Sequence, residues 1–215
     1  MKKPGTNLID YPVTPAADSS LARLLAAIDH ANSADPRRET LDGESLPKEL
    51  AYSIRMSQWL FRLEEQPSEL AQIACRAQHI ERWTIPRDEY PESRSGYYRW
   101  RQACGRFHGE RTAELMTENG YNEQDCAAIK SILSKKQIKQ NAVTQLMENA
   151  ACLVFLQRYL EPFYQEHTDY DLEKWMRIIT RTWDKMSESG HKQALAMLDE
   201  LPKHLQVLLK KALIN

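Results

Sequence analysis

Apolar residues recur along this chain at spacings of three and four, the period of an amphipathic helix, and no strand-like alternation is found. Leu21, Leu24, Leu25 and Ile28 form the first stripe, on a helix that starts near Ser19–Ser20 and ends before Asp35-Pro36. Residues 35–46 are polar, contain Gly43 and read as a loop. Pro47 suits the first turn of a second helix, which runs to about Leu63. Pro67-Ser68 opens a third, with Leu70, Ile73, Ala77 and Ile80 on one side. It is expected to stop before Pro86, because the residue before proline avoids helical angles.

Residues 84–96, with Pro86, Pro91 and Gly96, form a loop, and a fourth helix follows from about Ser95 to Asn119, stopped by Gly120. Asn122 with Asp125 resembles a capping box for a fifth helix that ends in Lys135-Lys136. A sixth covers roughly 141–161, with Val143, Leu146, Met147, Ala150, Val154 and Phe155 inward. Thr168 with Asp171 caps a seventh ending near Gly190, and one or two short helices around Pro202 close the chain. The expectation is an all-α protein. Residues 1–18, with Pro4, Pro12 and Pro15, form an extended arm, and 19–215 form a single domain of seven or eight helices.

Composition narrows the class. A chain of 215 residues buries roughly 70% of its unfolded surface and needs no staples. With 42% hydrophobic and 27% charged residues, disorder and coiled coil are excluded. Twenty-nine basic residues against thirty acidic ones leave no global attraction to nucleic acid or to an anionic membrane. The longest apolar run, Ala150 to Leu156, is far short of the ~20 residues of a membrane span. Met1-Lys2-Lys3 leads into Pro4-Gly5 with no signal-peptide core. Cys75, Cys104, Cys126 and Cys152 form no CxxC pair and are expected as reduced thiols in the cytoplasm.

Residues 76–111 carry the densest candidate chemistry. They hold eight arginines, no lysine and five acids, interleaved with Trp83, Tyr90, Tyr97, Tyr98 and Trp100. The guanidinium fork grips phosphate or carboxylate in two places, and aromatic faces offer a stacking surface. The stretch therefore reads either as the wall of an anion pocket or as Arg–carboxylate pairs bracing a loop. His79 and His108 sit on helices joined by one loop, so both can face the same space, as ligands or as hydrogen-bonded core-edge histidines. Glu148-Asn149 lies in a strongly apolar stretch, where polar groups must be bonded or must serve a site. Lys130, Lys135, Lys136 and Lys139 read as a solvated helix end complementing the dipole, not as a nucleic-acid patch.

The order of His79, His108 and Glu148-Asn149 resembles that of HD-domain phosphohydrolases, in which a histidine, a His-Asp doublet and a distant Asp hold a divalent metal. This chain departs at Gly109, with Glu110 displaced by one position, and at Asn149. Lys185-Met186-Ser187-Glu188-Ser189 resembles the KMSKS loop of class I aminoacyl-tRNA synthetases. Without the strands of a nucleotide-binding sheet it reads as a helix end. Beyond residue 20 the chain resembles an uncharacterised family of bacterial and fungal proteins, catalogued as domain of unknown function 4202. The words that carry this are Arg55-Met56-Ser57, Gln78-His79-Ile80, Arg82-Trp83, Ile85-Pro86-Arg87, Trp100-Arg101, Cys152 to Leu156 and Lys185-Met186-Ser187.

Two functions are expected from this reading. The first, implied by the HD resemblance, is a metal-dependent hydrolase of a small phosphate ester or nucleotide. His79, His108 and Asn149 would hold Mn, Fe, Co, Ni, Zn or Mg, and Glu110 or Glu148 would orient the attacking water. Arg82, Arg87, Arg94 and Arg101 would clamp the phosphate, with Trp83 and Tyr90 stacking on the remainder. The second is a non-catalytic module that binds an anionic metabolite or a protein partner through the same Arg/aromatic loop.

Overall fold

A computed structural model describes residues 16, 18–135 and 138–214. The expected arm over 1–18 and the end of the fifth helix at Lys136 lie almost entirely outside the described residues.

The protein is all-α apart from one hairpin. Ten α-helices are present among the described residues, more than the expected seven or eight: α1 (Ser20–Ser33), α2 (Lys48–Leu63), α3 (Glu69–Ala77), α4 (Arg94–Glu118), α5 (Glu123–Leu133), α6 (Ala142–Val154), α7 (Leu160–Glu166), α8 (Leu172–Trp183), α9 (Glu188–Ala196) and α10 (Lys203–Ile214). Short polar side chains start most of them. Ser19, Ser68, Ser93, Asn122, Asn141 and Asp171 each accept a backbone N–H of the first turn. Each such cap stabilises its helix by about 1 kcal/mol. The cap of α8 is thus Asp171, three residues past the Thr168 expected to supply it.

The core gathers around α2, α3 and α6, which pack on one another. Met56, Leu60, Ile73, Met147 and Leu153 are among the side chains fully withdrawn from solvent there. Helix α1 lies over α2 and α3, α4 pairs with α5, and α8 with α10. None of these helices is long and apolar enough to cross a membrane.

The structure departs from the sequence reading at four places. The expected loop at 35–46 contains an antiparallel hairpin, β1 (Arg38–Leu41) and β2 (Glu44–Pro47), with Leu41 opposite Glu44. Its two-residue turn is Asp42-Gly43 at φ 49° and 84°, the geometry of a type I′ turn. Helix α3 ends at Ala77, well short of Pro86. The chain turns because Glu81 adopts φ 48°, its N–H donating to the buried Asn32 Oδ1 at 3.1 Å. The expected sixth helix continues to Glu166 through a π-turn at Phe155–Tyr159. That wider turn makes room for Pro162, which has no N–H and whose ring crowds the carbonyl four residues back. The expected seventh helix is two, α8 and α9, broken at 184–187.

Candidate functional site

The turn after α3, the first half of α4, the α5–α6 connection, α6–α7 and the end of α8 enclose a cavity of about 1110 Å³. Its charged end is built from far-separated pieces of chain. Arg101 comes from α4, Lys135 follows α5, Glu148 sits on α6 and Lys185 follows α8. Gly105 makes this possible. A Cβ there would lie 3.3 Å from the Leu133 carbonyl, so glycine lets α4 approach the end of α5 closely. Glu148 is 3% exposed and accepts from Lys135 Nζ at 2.6 Å, with Lys185 Nζ 3.8 Å from its other oxygen. Burial works to raise its pKa, but the two ammonium groups outweigh burial and hold the carboxyl below its ordinary range. Phe155, Phe163 and Ile178 add apolar side chains to the lining. Tyr97 and Tyr98 also line the cavity and are 43% and 48% exposed.

His79 lines the cavity from the turn just past α3, not from a helix as the sequence reading expects. Its ring lies flat on Tyr52, with centroids 4.1 Å apart. Nδ1 faces Glu49 Oε2 at 3.3 Å. Glu49 is held by Arg37 at 2.8 Å, and its backbone N–H donates to Asp35 Oδ2 at 3.1 Å. Burial pushes the Glu49 carboxyl up, against the pull of Arg82 and Arg37. Burial first, and then Arg82, Lys135 and Arg101, drive His79 well below its usual value, so the ring is neutral at pH 7.

His108 lies behind it, with ring centroids 6.1 Å apart. It is 2% exposed, Nδ1 donates to the Ile80 carbonyl at 2.8 Å, and Nε2 has no hydrogen-bond partner among the described residues. The donation fixes the tautomer with the lone pair on Nε2.

Of the residues singled out from the sequence, His79, Arg82, Arg101 and Glu148 line the cavity, and His108 backs it. The others are elsewhere. Glu110 is exposed in a separate depression with Glu114, Glu123 and Lys130, away from both histidines. Asn149 is occupied. Its Oδ1 accepts from Gln145 and from the Ser187 N–H, and its Nδ2 donates to Ser187 and Ser189, leaving no lone pair for an ion. Arg87 donates to the Tyr90 and Pro91 carbonyls at 2.7 and 3.0 Å and braces its own loop. Arg94 lies over the Tyr98 ring. Trp83 and Tyr90 are half-buried outside the cavity. Arg106, one of the eight arginines of the 76–111 stretch, lines the cavity too, while Glu49, Tyr52, Arg181 and Lys185 belong to the site or its wall and were not singled out for it. Lys135, read as part of a solvated run, is one of its principal cations.

These positions do not suit a metal. Among the described residues, no group of three or more His, Cys, Asp or Glu side chains stands together as a ligand set. The expected Asn149 is committed to Ser187, and Glu110 is turned to another face.

The structure is an all-α fold, one hairpin apart, with a cationic cavity between helices and a neutral histidine in its wall. The chain belongs to the family described as a domain of unknown function, DUF4202, whose sequence profile matches residues 22–209. No curated protein and no solved structure matches it.

Proposed function

We propose that the protein binds a small anionic ligand, a phosphorylated metabolite, in this cavity. One observation carries the reading. Among the described residues, Arg82, Arg101, Arg106, Lys135, Arg181 and Lys185 line the cavity against a single carboxylate, Glu148, which is already ion-paired. Such a wall presents unspent positive charge to a ligand, and the guanidinium groups suit phosphate oxygens. The volume takes a metabolite-sized molecule, and the apolar side chains of the lining accommodate its less polar part. Four buried free thiols fit a reducing compartment, so we place this binding in the cytoplasm.

Thermal unfolding with inorganic pyrophosphate, ribose 5-phosphate and adenosine monophosphate tests it. A ligand at 100-fold its Kd stabilises by about 2.7 kcal/mol, which for a chain of this size raises Tm by roughly 5–10 °C. The shift should disappear in Arg101→Ala. No shift with any of the three, or one unchanged in Arg101→Ala, overturns the reading.

The metal-dependent hydrolase on an HD-like scaffold keeps one observation in its favour, the approach of His79 and His108 from positions 29 residues apart. Elemental analysis of wild type and His79→Ala tests it directly. A stoichiometric divalent ion lost in the variant would restore that reading.

A further inference from the structure

We infer that Glu49 and His79 are a proton-transfer pair, with His79 Nε2 the acceptor and Glu49 its positioning residue. The inference rests on the reading of the cavity as an anion site and adds a reaction to it. It starts from how firmly the ring is held. Tyr52 stacks on one face at an interplanar angle of 11°, and its hydroxyl donates to the side chain of Gln78, the preceding residue. On the far side, Ile80 is tied through its carbonyl to His108, and Glu81 through its N–H to Asn32. Glu49 cannot swing away, because Arg37 joins it to Asp35 and Asp35 holds its backbone.

A histidine that only filled space would not need its ring fixed from both neighbours and also faced by a buried carboxylate. With Nδ1 turned to Glu49 at 3.3 Å, Nε2 is the nitrogen left to the cavity that His79 lines, and the side chain is 22% exposed. This is the arrangement in which a carboxylate sets the tautomer and orientation of an imidazole and then stabilises the imidazolium.

The step is a proton transfer from a hydroxyl or water held beside the bound anion. The O–H bond breaks, its electron pair stays on oxygen, and the proton forms the N–H bond at Nε2. Glu49 compensates the new positive charge through Nδ1–H. In the free cavity Arg82, Lys135 and Arg101 oppose protonation of His79. A bound anion offsets those charges, so the base strengthens when its substrate is present.

Acylation by diethyl pyrocarbonate, whose carbonyl is attacked by the lone pair of a neutral imidazole, tests the pair in the full-length protein with residue-by-residue mass spectrometry. His79 should react faster than His30, although His30 is far more exposed. Glu49→Gln should slow His79 roughly tenfold, the equivalent of one unit of basicity, and leave His30 unchanged. Buried His108 stays unlabelled in an intact fold. If Glu49→Gln exposes it, Glu49→Asp is read in its place, where a shortened carboxylate should slow His79 without unmasking His108. His79 slower than His30 in the wild type overturns the inference, and so does an unchanged His79 rate in a folded Glu49 variant. Pyrophosphate should protect His79. A fast His79 without protection by pyrophosphate leaves the pair standing and removes the anion site instead.

Discussion

Asn149 on α6 accepts the backbone N–H of Ser187 at 2.9 Å, at the break between α8 and α9. The Asn149 amide also donates to the Ser187 hydroxyl at 2.8 Å, and Gly190 lies so close that a Cβ there would meet Asn149 Oδ1 at 2.9 Å. A fully buried amide satisfied on both sides is costly to remove, because its partners are left unpaired. Asn149→Ala should lower unfolding free energy by about 1–3 kcal/mol. Gly190→Ala should lower it by a similar amount, about 1–3 kcal/mol, through overpacking. Because both act on one joint, the double variant should lose less than the sum, which a urea-denaturation cycle would show. Strict additivity would mean that Asn149 does not hold this joint.

The helices were legible because their packing faces repeat with the helical period, as Leu21, Leu24, Leu25 and Ile28 do. The turn at 78–81 was not, since Asn32 and His108 impose it from α1 and α4, and neither contact leaves a mark near residue 80. The hairpin hid for a different reason. With only Leu41 and Pro47 buried, it has almost no alternation, and its signal was the Asp42-Gly43 turn. Within the site, His79, Arg82 and Arg101 stood out because they are clustered in sequence. Lys135 and Lys185 did not, being 50 residues apart and joined only through Glu148. The break at 184–187 is likewise bonded to a residue nearly forty positions earlier.

Arg87 and Arg101 look equivalent in the sequence and differ in the structure. Arg87 spends its guanidinium on two carbonyls of its own loop, while Arg101 lines the cavity. Arg87→Ala should cost about 1 kcal/mol of stability and leave pyrophosphate affinity unchanged. Arg101→Ala should reduce affinity at least tenfold, because a charge-assisted contact is worth about 1.5–3 kcal/mol. Calorimetric titration of the two variants separates the roles. Equal losses of affinity would return Arg87 to the site.

Glu148 competes with any anion for Lys135 and Lys185. Replacing it by Gln removes that competitor and leaves two ammonium groups unneutralised. Glu148→Gln should therefore be less stable without ligand, by about 1–3 kcal/mol, and should bind pyrophosphate more tightly than the wild type. The pH dependence has a definite sign. The folded carboxyl titrates below its ordinary value of 4.5, so its contribution is complete above that value and is lost as the pH falls through the folded pKa. The variant should lack this acid-side loss. Weaker pyrophosphate binding in Glu148→Gln would mean that Glu148 orders the lysines more than it competes for them.

The two histidines give a second pH signature at higher pH. Burial first, followed by neighbouring charge, holds both well below the usual 6.5, with Arg82 acting on both rings and Lys135, Arg101 and Arg37 on His79. His108 also feels His79, and is opposed by its bond to the Ile80 carbonyl and by Glu49. The unfolded chain thus binds protons near pH 6.5 that the folded protein refuses, and stability rises with pH wherever the unfolded state binds more. The contribution is full above pH 6.5 and is lost as the pH drops toward the folded values. Each histidine adds up to about 1.4 kcal/mol per pH unit in that window. His108→Gln, which retains a donor for the Ile80 carbonyl, should remove one proton from the slope as the pH falls below 6.5. His79→Gln should remove the other, and the slope should flatten further in saturating pyrophosphate, whose charge offsets the cations around His79. A slope unchanged in His108→Gln would show that this ring is already protonated in the folded protein, with Nε2 bonded to water.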